Sequence, residues 1–284
     1  METINWKRKK TENHMQEIQK DDVIFLQFST LNELNFIRHG FSTRYGGVSE
    51  GCFSSMNLSF HRGDEKEAVT ENYRRITKAL EMDVNNLVLS DQVHDSKIRR
   101  VYQEDCGKGI CKELDYEGID GLITNAPHVV LTTFFADCVP LFFADPVHKA
   151  IGLSHSGWRG TVKKMGAETL LAMKEAFGTK AEDVYAAIGP SICKDCYEVS
   201  GDVVEEFEKK FGKDVIKDFT NSKENDKFML DLWGINRFIL IEAGVLQEHI
   251  EVTDICTCSN PKHMFSHRAS HGKRGNLAAF LEII

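Results

Sequence analysis

Residues 129–177 read VVLTTFFADCVPLFFADPVHKAIGLSHSGWRGTVKKMGAETLLAMKEAF. Two long apolar runs flank Asp137-Cys138, and a third, Ala150-Ile-Gly-Leu153, runs into Ser154-His155-Ser156-Gly157-Trp158-Arg159-Gly160. Short apolar runs bounded by turn residues read as strands buried on both faces. After Gly160 the period changes. Val162, Met165, Thr169, Leu170, Met173 and Phe177 share one face of a helix over 161–177, with Gly178 as its stop. Polar and metal-ligating side chains are thus set into the most apolar part of the chain. Burying them is costly, so Asp137, Cys138 and His155 are the first candidates for chemistry.

Outward from this stretch, strands are expected over 23–28, 35–44, 87–89, 98–102, 120–124, 184–189 and 252–256, with 56–59 short and extended. Helices are expected from Asp64, where Val69, Tyr73, Ile76 and Leu80 keep a 3.6-residue period, and over 202–211 and 232–243. Residues 104–118 read as a charged surface loop, and 265–276 as a basic, glycine-containing loop before a short apolar tail. Strands occur both in succession and beside helices, which favours an α+β sandwich with mixed sheets. A polar lead-in over 1–22, helical or loose, precedes a single domain over 23–284.

The chain has 284 residues, 42% hydrophobic and 27% charged, with a net charge of −8. That is long enough for a sizeable core, and the acidic balance argues against a general basic surface for nucleic acid. No apolar run is long enough for a membrane span. Residues 1–22 are charged throughout with no apolar signal core, so the expected location is the cytoplasm. The eight cysteines are then expected as thiols or metal ligands rather than disulfides. Cys193-x-x-Cys196 and Cys256-x-Cys258 are spaced as pairs that zinc uses.

His94, Cys138 and His155 each stand at the end of an expected strand. Two imidazoles and a thiolate suit zinc and leave a fourth position for water or substrate; zinc there would acidify a water or polarise an oxygen. A rival reading makes Cys138 a nucleophile with His155 as its base in a metal-free hydrolase. Asp137 is a candidate proton-transfer group or a structural hydrogen-bond partner for a turn. Arg44, before Gly46-Gly47, and Arg159, before the 161–177 helix, are both placed to hold a phosphate. His263, His267 and His271 recur every four residues beside Arg268, Lys273 and Arg274, and read as an anion- or partner-facing loop or a weaker metal candidate.

Several blocks resemble the laccase-domain family, first labelled polyphenol oxidases and now regarded as purine nucleoside phosphorylases. They run in order from about residue 36 to the C-terminus: His39-Gly-Phe-Ser-Thr-Arg44 with Gly46-Gly47-Val48-Ser49, Met56-Asn-Leu-Ser59, Asp91-Gln-Val-His94, Asp120-Gly-Leu-Ile-Thr124, Ala136-Asp-Cys-Val-Pro140, His155-Ser-Gly-Trp-Arg-Gly160, Ile188-Gly-Pro190 and Phe265-Ser266. The resemblance implies a layered α/β/β/α fold and a zinc ion on His94, Cys138 and His155. It implies phosphorolysis of adenosine, inosine, guanosine and methylthioadenosine, adenosine deamination, and an arginine near the active site at Arg44. The partners are then a purine nucleoside and phosphate, in a monomer or homodimer. The sequence departs from the family where Ser266-His267-Arg268-Ala269-Ser270 stands in place of Ser-Tyr-Arg-Arg-Asp, and where the second cysteine of the late pair has moved to Cys258. Copper is not favoured: multicopper oxidases use many histidines in His-x-His pairs, and none of the 11 histidines here forms one. A non-catalytic small-ligand binding protein is the third reading.

Overall fold

A computed structural model describes residues 4–9 and 15–284. The first sheet runs, in spatial order, β1 (Gln16–Lys20), β2 (Val23–Gln27), β3 (Ile37–Ser42), β15 (Leu277–Ile283), β7 (Val130–Phe135) and β4 (Leu87–Leu89). The second runs β14 (Ile250–Val252), β10 (Tyr185–Ile188), β8 (Val139–Asp145), β9 (Ala150–Ser156), β6 (Gly121–Thr124) and β5 (Ile98–Arg100). A small third sheet joins β11 (Glu198–Ser200), β13 (Lys227–Leu230) and β12 (Thr220–Ser222). The helices are α1 (Ser29–Asn32), α2 (Lys66–Leu80), α3 (Trp158–Val162), α4 (Met165–Phe177), α5 (Gly201–Phe211), α6 (Lys213–Ile216), α7 (Leu232–Glu242) and α8 (His267–Ser270).

The alternation of side chains along each strand builds the layers. On β15, Leu277, Ala279, Leu281 and Ile283 face the second sheet's Phe142, Ile151 and Leu153 in one core. Ala278 and Phe280 point the other way, onto Val69, Tyr73, Ile76 and Leu80 of α2. On β8, Phe142 joins the inter-sheet core. Val139, Leu141 and Phe143 meet Met165 and Met173 of α4 and Ile235 and Ile239 of α7. The result is an α+β sandwich of four layers, α/β/β/α. Both large sheets mix parallel and antiparallel pairs, such as β4 with β7 parallel and β15 with β7 antiparallel. Gly40, opposite Phe280 on β3, lets α2 lie close: a Cβ there would stand 2.4 Å from Leu80 Cδ2.

Four local expectations change. The apolar tail is β15, a central strand, because both of its faces are covered. Part of the lead-in is not loose or helical: Gln16–Lys20 pairs antiparallel with β2, and Arg8 forms an ion pair with buried Asp254. Residues 1–3 and 10–14 of the lead-in lie outside the described residues. The 161–177 helix is two helices, divided where Lys164 takes a left-handed φ of 60°. The strand expected over 252–256 covers Ile250–Val252, and Cys256 makes a single bridge to Ser191. No described helix is long and apolar enough to cross a membrane.

Candidate metal and anion site

The deciding stretch carries the chain from one sheet to the other. β7 ends at Phe135 in the first sheet and β8 begins at Val139 in the second, so Ala136-Asp137-Cys138 is the crossover. Asp137 makes the turn with φ 89°, in the left-handed region that a short polar side chain tolerates. β9 pairs antiparallel with β8 and brings His155, 3% exposed, opposite Pro140. The loop after β4 returns His94 to the same end, also at positive φ (64°). Non-glycine residues in this conformation cluster at functional sites.

The ligand atoms of His94, Cys138 and His155 all lie within 4.8 Å of one another, with Cys138 Sγ 3.8 Å from His94 Nε2. The two imidazoles meet edge to face at 4.8 Å. Tetrahedral zinc with nitrogen and sulfur ligands holds them about 3.5 Å apart, so small shifts close this trio around one ion. Gly157 makes room for it: a Cβ would stand 3.0 Å from the His94 ring and 3.1 Å from Cys138 Sγ.

A residue to which the sequence attached no role, Asp120, organises the trio. Its buried carboxylate accepts from the backbone N–H groups of Val93, His94 and Asp95 at 3.0–3.1 Å and from His155 Nδ1 at 2.9 Å. With Nδ1 so engaged, Nε2 of His155 is the ring atom left for an ion. Burial alone would raise the Asp120 carboxyl, but His155 and the backbone donors hold it below the usual carboxylate range. Burial likewise opposes charge on Cys138 and His155, yet each stabilises the other. The thiol is held down to about 6 by His155 and His94, and the imidazolium is held up to about 9 by Cys138 and Asp120.

The trio opens into a cavity of about 560 Å³. Apolar lining comes from Leu58, Phe60, Phe134, Ile192 and Tyr197; Arg62, Arg268 and Arg274 supply positive charge. Arg274 is only 7% exposed. Its Nη1 donates to Gly275 O and Asn276 Oδ1, while its buried Nε has no partner. Burial pulls its guanidinium down to about 10, with Arg62 adding to the effect. A buried cation with a donor to spare is suited to an anion. Arg268 is committed elsewhere: its guanidinium donates to the carbonyls of Cys196 and Glu198.

The other sequence candidates fall as follows. Asp137 lines the cavity, but one oxygen accepts from the Thr257 hydroxyl at 2.6 Å and the other from Arg268 N at 2.7 Å, so it ties the crossover to the loop at Thr257 and to α8. Arg44 and Arg159 are not among the lining residues. Arg44 donates to Ser54 O and Pro261 O over the Phe265 ring, and the exposed Arg159 stacks on Trp158. Their proximity to glycines and to a helix start, legible in sequence, is spent on packing. Of the three tail histidines, His267 lines the cavity, His263 bonds to Tyr45 and His271 ends α8. Among the described residues they form no ligand group.

Residues 38–284 match the family model described as "Multi-copper polyphenol oxidoreductase laccase". The chain is 38% identical over 244 residues to the purine nucleoside phosphorylase YlmD of Bacillus subtilis, covering 85% of this chain and 87% of that one. Its fold matches the crystal structure of Bacillus licheniformis hypothetical protein YfiH, with a TM-score of 0.88, 30% identity, and 94% and 99% of the two chains covered. It also matches that of YlmD from Geobacillus stearothermophilus, with a TM-score of 0.84, 30% identity, and 94% and 98% covered. With residues 38–284 matched by the family model and 85% or more of the chain covered by these relatives, this chain belongs to the laccase-like polyphenol oxidoreductase family.

Proposed function

We propose that the chain is a zinc-dependent purine nucleoside phosphorylase. It takes adenosine, inosine, guanosine and methylthioadenosine with phosphate to the free base and the sugar 1-phosphate, and deaminates adenosine as a second activity. One observation carries the reading: His94, Cys138 and His155, whose ligand atoms lie together, line the same nucleoside-sized cavity as the largely buried Arg274. The name of the Bacillus subtilis relative supports it.

His94, Cys138 and His155 would hold the ion, and Asp120 fixes His155 and the 93–95 loop by its hydrogen bonds. Zinc held by these residues would supply Lewis acidity. Two imidazoles and one thiolate are a set that zinc uses, and they cannot by themselves build a multi-copper cluster. Arg274, with Arg62 beside it, holds phosphate, the role that sequence alone gave to Arg44 and Arg159. The apolar wall of Leu58, Phe60 and Tyr197 excludes water from the base. A phosphate oxygen then attacks the anomeric carbon as the glycosidic bond breaks, and the purine leaves with its electron pair and takes up a proton. Asp137 positions Arg268 and Thr257 rather than moving that proton, because both of its oxygens are engaged.

The test is product analysis of purified protein with adenosine or inosine, with and without phosphate. Free base and sugar 1-phosphate in equal amounts, only with phosphate, are expected, and Arg274→Ala raises the KM for phosphate. Phosphate-independent base release would make the chain a nucleosidase. The metal-free cysteine hydrolase has the lowered Cys138 thiol in its favour; turnover by zinc-stripped protein, with covalent trapping of Cys138, would select it. Ligand binding without turnover would leave a binding protein.

A further inference from the structure

We propose a second, structural zinc site on Cys193, Cys196, Cys256 and Cys258, separate from the catalytic trio. The sulfurs of Cys193, Cys196 and Cys256 lie within 4.8 Å of one another, and Cys258 interacts with both Cys196 and Cys256. Cys193 and Cys256 are buried; the other two are half-buried. The four come from two segments, with Cys193 and Cys256 separated by 63 positions in the chain. These segments run side by side, since Ser191 and Cys256 form a parallel bridge. Four clustered thiols, two of them buried and two half-buried, with only weak hydrogen bonds among themselves are a poor core, whereas a four-cysteine ligand set is a closed structural zinc site.

The surroundings are those a thiolate cluster needs. The backbone N–H groups of Cys193 and Ser259 both point at Cys256 Sγ, at 3.3 and 3.4 Å, and the Ser259 hydroxyl lies 3.3 Å from Cys196 Sγ. Cys193-x-x-Cys196 turns through a short 3-10 helix in which Cys196 N donates to Cys193 O, so both side chains leave on one side. Lys9 stands next to Cys193 and offsets part of the negative charge of a tetrathiolate. Zinc binding here releases the thiol protons to solvent and changes no oxidation state.

The position says what the ion does. Thr257, between two of the ligands, donates to Asp137, and Ile192 N donates to Asp137 O. Tyr197, the residue after Cys196, lines the cavity. An ion on the four sulfurs locks the loops that form one wall of the catalytic cavity.

The experiment counts metal on zinc-replete full-length protein and on Cys138→Ala, which disables only the first site. About two equivalents of zinc are expected in the wild type and about one in Cys138→Ala. X-ray absorption on the zinc of Cys138→Ala is expected to show four sulfurs at about 2.3 Å. Cobalt in its place is expected to give thiolate charge-transfer bands that the added change Cys256→Ser weakens. A zinc-free Cys138→Ala, a nitrogen- or oxygen-dominated shell, or an intact mass two hydrogens light from a disulfide among these cysteines would each overturn the proposal. None of these readouts depends on turnover, so the site stands or falls apart from the phosphorylase reading.

Discussion

Asp120 receives four N–H donors on two oxygens, and an amide in its place would turn an acceptor oxygen into a donor facing two of them. Asp120→Asn is therefore expected to weaken zinc binding at the His–Cys–His trio by about 10- to 100-fold, read by competition with a chromophoric chelator. Gly157→Ala pushes a methyl group against both His94 and Cys138. It is expected to weaken zinc binding and activity while leaving the unfolding midpoint of the metal-free protein nearly unchanged. Protons compete for the same atoms. Between pH 9 and 6 the metal-free pair is a thiolate beside an imidazolium, and zinc must displace one proton; below 6 it must displace two. Affinity is expected to fall about tenfold per pH unit over the first range and more steeply below it, measured by zinc titration at several pH values. The trio was legible in sequence because each member interrupts an apolar run or ends one. Asp120 was not, because a carboxylate's four donors come from residues distant in the chain; Arg274 was legible only as one cation of an anion- or partner-facing loop, since a guanidinium's missing partner has no sequence signal.

At the scale of elements, β15 bears on both cores. Phe280, fully buried between β3, β7 and α2, anchors it, and Phe280→Ala is expected to cost about 3–5 kcal/mol in urea unfolding. On β3, buried His39 accepts the Phe28 N–H through Nε2 at 2.8 Å, and burial lowers its imidazolium to about 3. The sign follows from linkage. Above about 6.5 the unfolded histidine is neutral too, so its stabilisation is fully present there. As pH falls toward 3, the unfolded chain takes up a proton that the fold refuses. This group alone is expected to remove about 1.4 kcal/mol per pH unit below 6.5, and His39→Gln is expected to flatten that slope in urea titrations. The strands flanking Asp137-Cys138 and helix α2 were readable from period and punctuation. β15 was read only as a tail because a strand covered on both faces shows no alternation, and β1 was hidden because its strand pairs at a sheet edge with polar side chains.

Across the whole molecule, the site exists because two sheets stack and one chain segment crosses between them. His94 comes from the first sheet's edge, Cys138 from the crossover and His155 from the second sheet, so an ion there ties the two sheets together. Removing metal is expected to lower the melting temperature, and saturating zinc to raise it with concentration, by differential scanning fluorimetry. The runs and the helical period reach an α+β sandwich with mixed sheets, and the four-layer order is what the family resemblance adds. The cavity was not, since it is a space between loops. The measurement that bears most directly on the central claim is the rate of phosphate-dependent adenine release from adenosine by zinc-stripped protein as zinc is returned, with Cys138→Ala alongside. A metal on the trio predicts a fall of about 100-fold or more on stripping, recovery with zinc in the wild type and none in Cys138→Ala. An undiminished rate in the stripped protein, or full recovery in Cys138→Ala, would contradict it.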